Sequence, residues 1–158
     1  KTGKFYWSVR LKPNYGMSIM APQRAGNRLF AGGIGVSLLL ELAENQPTAK
    51  ELWRGDTKRG VECVNSTPIV DGDYLYGVNR FGQLRCVELA TGRHVWESFA
   101  ATTGNRSANS GTGFLVKNGD RYFIFSETGD LVIAELSPQG YVEKSRAHLI
   151  DPSNEAFG

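Results

Sequence analysis

Six polar side chains fall in stretches rich in glycine, serine and asparagine: Arg59, Asn65, Arg80, Arg106, Asn109 and Glu127. Their chemistry is hydrogen bonding and charge pairing. Asn65, Arg80, Arg106 and Asn109 are the candidate binding residues, and Asn65 and Asn109 are the strongest because each precedes a β-rich run. Catalytic patterns are missing. No Gly-x-Ser-x-Gly elbow and no His-Glu-x-x-His pair occurs. His94 and His148 are isolated and read as ordinary surface histidines. Gly32-Gly33-Ile34-Gly35 is glycine-rich but opens no helix, so it reads as a turn between strands and not as a phosphate cradle. Asn65-Ser66-Thr67 and Asn105-Arg106-Ser107 fit the glycosylation pattern, which chance often produces. No acidic cluster offers the several oxygen ligands of a hard cation. No catalytic residue and no metal site is assigned.

Two cysteines, Cys63 and Cys86, are too few for a disulfide framework, and their spacing fits no zinc motif. They are compatible either with one bridge or with two buried thiols. The chain of 158 residues is 41% hydrophobic, enough for one ordinary domain. Its 18 basic and 16 acidic residues leave a net charge of +2 with no basic stripe, which argues against nucleic acid. The longest apolar runs fall far short of the roughly 20 residues that cross a bilayer, so no transmembrane segment is expected. Lys1-Thr2-Gly3 reads as mid-hairpin and Ala156-Phe157-Gly158 as an interrupted connection. Both ends therefore suggest a piece of a longer chain.

The elements that must position these side chains come from a repeat. The clearest unit contains four β-rich runs: Asn65-Ser66-Thr67-Pro68-Ile69-Val70, Tyr74-Leu75-Tyr76-Gly77-Val78-Asn79, Gln83-Leu84-Arg85-Cys86-Val87-Glu88-Leu89 and Arg93-His94-Val95-Trp96-Glu97. Asp71-Gly72-Asp73, Arg80-Phe81-Gly82 and Ala90-Thr91-Gly92 supply the turns between them. Four hairpin-linked strands make one antiparallel meander, the shape of a propeller blade. The pattern recurs upstream in Asn27 to Gly33, Ser37 to Leu42 and Lys50 to Gly55. Downstream it recurs in Gly113 to Val116, Arg121 to Phe125, Asp130 to Leu136 and Gly140 to Glu143. Thr2-Gly3-Lys4-Phe5-Tyr6-Trp7 matches the last turn and strand of a further unit. Trp7, Trp53 and Trp96 share one slot, 46 (53 − 7) and 43 (96 − 53) residues apart.

The fold class is therefore all-β: a partial β-propeller of about three four-stranded antiparallel blades, a fragment of a larger closed ring. The boundaries are 1–12 for the end of a preceding blade, 13–56, 57–99 and 100–150 for three blades, and 151–158 for the start of the next connection. One such sheet cannot stay dry alone. Blades must stack face to face, which accounts for continuous runs such as Leu38-Leu39-Leu40. An open stack leaves two bare faces, so the remaining blades are expected in the same parent chain. The 158 residues by themselves should be marginally stable or associate.

Cys86-Val87-Glu88-Leu89-Ala90-Thr91-Gly92-Arg93-His94-Val95-Trp96 resembles the pyrroloquinoline-quinone (PQQ) type of propeller repeat, Ala-x-Asp-x-x-Thr-Gly-x-x-x-Trp. Thr91, Gly92 and Trp96 match, and Cys86 and Glu88 take the Ala and Asp places. Thr2, Gly3 and Trp7 match in part. Trp53 keeps the indole but lacks the Thr-Gly turn. In the last unit Ala134 and Gly140 fit, with Lys144 at the Trp place. The resemblance extends over nearly the whole chain and is closest to PQQ-like repeat proteins of planctomycetes and related bacteria. It implies that Trp7, Trp53 and Trp96 dock neighbouring blades, with Gly3 and Gly92 at the turns, and that the ring closes with eight blades. It implies an exported or periplasmic protein.

The same fold serves an outer-membrane assembly scaffold and quinoprotein dehydrogenases. The resulting expectation is a non-enzymatic module presenting a loop face and central channel to a protein or small ligand, with no cofactor evident. The alternative is part of a dehydrogenase using PQQ and Ca²⁺, held in that family by Glu and Asn side chains beside an Asp base and adjacent cysteines. A carbohydrate-binding or sugar-processing propeller is a third reading. Propeller geometry places loops 55–66, 79–82, 104–111 and 126–129 on one face.

Overall fold

A computed structural model describes residues 2–109 and 111–153. Twelve strands form three separate four-stranded sheets, and the described residues contain no α-helix. The first sheet comprises β1 (Gln23–Ala25), β2 (Arg28–Gly33), β3 (Val36–Leu42) and β4 (Ala49–Gly55). The second comprises β5 (Ile69–Asp71), β6 (Tyr74–Val78), β7 (Leu84–Glu88) and β8 (His94–Ser98). The third comprises β9 (Gly113–Asn118), β10 (Arg121–Ser126), β11 (Asp130–Ser137) and β12 (Gly140–His148). Every sheet is an antiparallel meander in chain order. The chain is thus an open, partial propeller of three blades. Gly32-Gly33-Ile34-Gly35 closes the β2–β3 hairpin, with Gly35 at φ +76° where a side chain would be strained.

Each sheet carries one register shift between its third and fourth strands, at Leu39/Leu40, Cys86/Val87 and Ile133/Ala134. The shift fixes which face the fourth strand presents. Across it run three equivalent rows: Phe30, Leu39, Trp53; Tyr76, Cys86, Trp96; and Phe123, Ile133, Ser145. In the last row Ser145, and not Lys144 as the repeat spacing suggests, occupies the tryptophan position. There the register shift lies one residue farther from the hairpin turn, so counting from Gly140 lands one residue short. Lys144 instead pairs with Glu135 at 2.8 Å.

Two apolar seams hold the blades together. Phe30, Leu39 and Trp53 meet Leu75, Val87 and Leu89 in the first. Tyr76, Cys86 and Leu84 meet Tyr122, Ile124 and Val132 in the second. The strands are therefore apolar on both faces because both faces are covered. The indoles span the seams. Trp53 Nε1 donates to Leu89 O at 2.9 Å, and Trp96 Nε1 donates to Ser137 O at 2.7 Å. Leu89 and Ser137 sit at the same place, where the third strand enters its last turn. Gly92 lies beneath Trp53: a Cβ there would come within 3.1 Å of the indole, and its φ of +73° already disfavours a side chain.

Residues 2–12 form no β-strand, although Thr2 to Trp7 matches a fourth strand. These 158 residues include no third strand ahead of it to supply hydrogen-bond partners. The segment nonetheless lies across the outer face of the first blade. Trp7, Val9 and Leu11 face Leu29, Leu38 and Leu40 around a cavity of about 240 Å³. Arg54 anchors it by donating to Arg10 O and Leu11 O, both at 3.1 Å. Gly3 has φ +71°, in the left-handed region that favours glycine, and Trp7 stays 37% exposed. At the other end of the stack, Phe123, Phe125, Leu131 and Ile133 are half-buried and Phe114 and Val116 exposed. Residues 154–158 of the expected 151–158 connection lie outside the described residues.

The first seam contains a buried ion pair, Arg85 with Glu62. Arg85 is paired with Gly77, as Leu38 is with Ala31 and Val132 with Ile124, so the three side chains are register equivalents. Arg85 is buried and donates to Glu97 (3.2 Å), Gln83 Oε1 (3.0 Å), Thr57 O (3.0 Å) and Glu62 Oε2 (3.5 Å). Glu62 is fully buried, and its Oε1 has no partner. Burial raises the Glu62 carboxyl above the ordinary range, against the opposing pull of Arg85.

The cysteines are both free. Cys63 lies in the first seam and Cys86 in the second, on opposite sides of the middle sheet, so the bridge that the sequence left open does not form. Burial pushes the thiols up to about 12 and about 11, which makes both unreactive.

The histidines differ. His94 is half-buried, with Nε2 2.8 Å from Gly60 O, and burial together with Arg85 lowers its pKa. His148 is exposed between Asp130 (2.8 Å) and Asp151 (3.0 Å), whose hydrogen bonds raise its pKa. In an NMR titration His148 should titrate above, and His94 below, the ordinary value of about 6.5. Asp130→Asn should bring His148 back toward that value and leave His94 unmoved.

Candidate functional site

Loops 55–66, 79–82, 104–111 and 126–129 are laced together. The Asn79 side chain shapes its loop by accepting from Phe81 N and Gln83 N, both at 2.9 Å. A bridge between Phe81 and Gly111 joins that loop to the next, with Gly111 N donating to Arg80 O (2.8 Å) and Ala108 N to Phe81 O (2.9 Å). Asn65 Nδ2 donates to Thr112 Oγ1 at 3.3 Å, and Thr112 N donates to Glu127 Oε2 at 3.2 Å. Loops from successive blades therefore form one surface held by backbone and side-chain hydrogen bonds.

Asn65, Arg80 and Asn109 converge on that surface. Together with Tyr15, Met17, Ile34 and Val64 they line a cavity of about 560 Å³. Asn65 and Asn109 also line a second cavity, of about 570 Å³, with Thr112, Phe114, Phe125, Ser126 and Glu127. The two cavities share these asparagines, but the second opens onto the bare outer face of the third blade, where Phe114 and Phe125 pair; the trough proper is the first cavity, between the first two blades and Asn109. The guanidinium of Arg80 lies 5.0 Å from the centroid of the Phe81 ring. Partial burial raises the Glu127 carboxyl above its ordinary range, opposed by the Thr112 N–H.

The remaining sequence candidates fall elsewhere. Arg106 is exposed and lines neither cavity; its carbonyl accepts from the Thr103 hydroxyl. Arg59 belongs to the seam, where it stacks 5.4 Å from the Trp53 ring and donates to Thr91 O at 2.7 Å. Trp53, Trp96 and Gly92 lie at blade boundaries, while Trp7 and Gly3 lie in the unpaired leading segment. Sequence reasoning missed the apolar walls of the trough. Tyr15 and Met17 sit at a single 3₁₀ turn, Asn14–Gly16, and both are exposed. Phe114 is half exposed because it lies on the open outer face of the third blade, opposite Phe125. The available signal was a tyrosine between Asn14 and Gly16, a position where a buried aromatic is unexpected.

The trough does not suit calcium with PQQ. Ca²⁺ takes six to eight oxygen ligands. The two cavities together offer one carboxylate, Glu127, already accepting from Thr112, beside two amides and neutral hydroxyls. Among the described residues no group of three or more His, Cys, Asp or Glu side chains could hold a metal. No helix is long and apolar enough to cross a membrane among those residues.

No curated protein matches the chain. Among solved structures it is similar to BamB from Moraxella catarrhalis, with 16% identity and a TM-score of 0.59 over 82% of this chain and 34% of that one. It is also similar to a europium-containing methanol dehydrogenase, with 11% identity and a TM-score of 0.51 over 87% of this chain and 27% of that one. The chain spans about a third or less of either structure, and at such identities the likeness is one of fold. The family model described as outer membrane protein assembly factor BamB matches residues 1–147. With that match over most of its length and three stacked meanders clasped by indoles, the chain belongs to this family of PQQ-like repeat β-propellers.

Proposed function

We propose that the chain is part of a non-enzymatic binding module that presents the trough around Asn65, Arg80 and Asn109 to a protein or small ligand. The observation that carries this reading is the convergence of three separated polar residues on one concave surface. Asn65, Arg80 and Asn109 come from three different loops. Loops on a rigid scaffold are where binding groups concentrate, and the trough has the size of a ligand site. The family description, with its assembly factor, supports a scaffold in the periplasm or otherwise exported. Further blades of the same parent chain would cover the open apolar faces and complete the ring, at eight blades by family resemblance.

The test is a titration of PQQ and Ca²⁺ into the protein, followed by quinone absorbance and dye reduction. Neither signal should change. Quinone-dependent dye reduction would overturn the binding-module reading in favour of a dehydrogenase.

A further inference from the structure

The trough has a polar end and an apolar end. Arg80 is the one charged side chain among its described lining residues, and Asn65 and Asn109 flank it. These three side chains come from the connection into the second blade, a turn of the second blade and the connection into the third. None lies on the face of a sheet, so blades stacked on either open end of the chain would not cover them. The apolar end is formed by Ile34 and Val64, both buried, with the exposed Tyr15 and Met17 at the rim. Arg80 is held in place from two sides. Its guanidinium lies 5.0 Å from the centroid of the Phe81 ring, and its carbonyl accepts from Gly111 N at 2.8 Å. Yet it forms no ion pair among the described residues. Its charge reaches the buried Glu62 through space, but Glu62 is paired with Arg85.

Resting on the binding reading above, we propose that the trough takes a monocarboxylate carried on an apolar body, with its two oxygens on Arg80 and the body against Ile34 and Val64. A guanidinium presents parallel N–H groups that match the two oxygens of a carboxylate. The amides add donors beside them. Asn65 Nδ2 gives one N–H to Thr112, and a primary amide carries two. Other occupants fit less well. A cation would meet Arg80 with no carboxylate in the cavity to receive it. A phosphate monoester brings up to two charges to one cation. A sugar would press hydroxyl groups against Ile34 and Val64, where they lose water without gaining partners. A volume of about 560 Å³ suits a small acid or the last few residues of a chain. A free aliphatic acid and the C-terminal end of an apolar peptide offer the same chemistry.

The test is an NMR titration of the whole chain at neutral pH. The probes are octanoate, its neutral amide octanamide, the peptide Ser-Gly-Ser-Leu-Val-Leu with a free C-terminus, and the same peptide amidated. At least one acid should bind about tenfold tighter than its amide, the equivalent of 1.4 kcal/mol, and should move the side-chain signals of Asn65, Arg80 and Asn109. Octanoate alone responding would assign the free acid, and the free-ended peptide alone the chain end; either supports the proposal. Arg80→Gln should make each acid bind no better than its amide, while circular dichroism stays unchanged. Asn109→Asp, in an exposed loop, should weaken the acids and not the amides. No binding of either acid, binding confined to the open sheet faces, or an acid preference that survives Arg80→Gln overturns the proposal. Amides that bind in the trough as tightly as the acids would overturn the carboxylate but leave the binding module standing. Quinone-dependent dye reduction would end the binding module itself.

Discussion

Trp53→Ala should abolish cooperative unfolding of this chain at 25 °C, whereas Trp53→Phe should leave it folded with a lowered urea midpoint. Trp53 is 3% exposed, lies against Phe30 and above Gly92, and holds Leu89 O across the seam. Removing such a side chain costs about 3–5 kcal/mol from lost burial and the cavity left behind. That is comparable to the whole stability of a small domain, and this chain carries open faces besides. Phenylalanine keeps most of the apolar contact but donates nothing to Leu89 O, a loss of about 1 kcal/mol. The matching change at Trp96, which is only half-buried, should cost less. Urea unfolding followed by circular dichroism measures all three. Equal midpoints for Trp53→Ala and the unmodified chain would mean that the indole does not clasp the blades.

Arg85→Ala should be nearly as damaging, and the double substitution Arg85→Leu with Glu62→Leu should restore stability. Removing Arg85 leaves Glu62 fully buried without its cation, and breaking such a pair costs about 3–5 kcal/mol. Replacing both partners removes the two desolvated charges and puts a leucine where the first blade has Leu38. Exchanges of that kind are often neutral or stabilising. Glu62 also sets a pH dependence. Its proton is held more tightly in the folded chain than in the unfolded one. Glu62 therefore contributes stability that is complete below the ordinary glutamate range and is lost as pH rises through its higher folded value. Glu62→Gln should flatten the urea midpoint across that window. A double variant no more stable than Arg85→Ala would show that the pair does more than satisfy its own charges.

The contrast between these residues explains how much was legible beforehand. Trp53 and Trp96 repeat with their strands and turns, so period and neighbours both reveal their place. Asn65, Arg80 and Asn109 could be assigned to one face because meander topology puts alternate loops on the same side. Arg85 could not be recognised. An arginine in a strand ordinarily faces solvent, and its burial comes from the connection carrying Thr57 and Glu62, which folds into the seam at a site no local pattern marks. Ser145 was missed because the register shift moves by one residue in the third blade, and a shift leaves no signature in residue types. Tyr15 and Met17 became part of the trough only when blades from distant parts of the chain were set side by side.

Exchange of the three indole N–H protons is the most direct measure of the blade-to-blade clasp. Dissolved in D₂O and followed by NMR, the Trp53 and Trp96 signals should persist, because each donates to a carbonyl of the following blade. Trp7, in the exposed leading segment, should lose its signal at once. Equally rapid loss of all three would contradict the stacking of these sheets through their tryptophans.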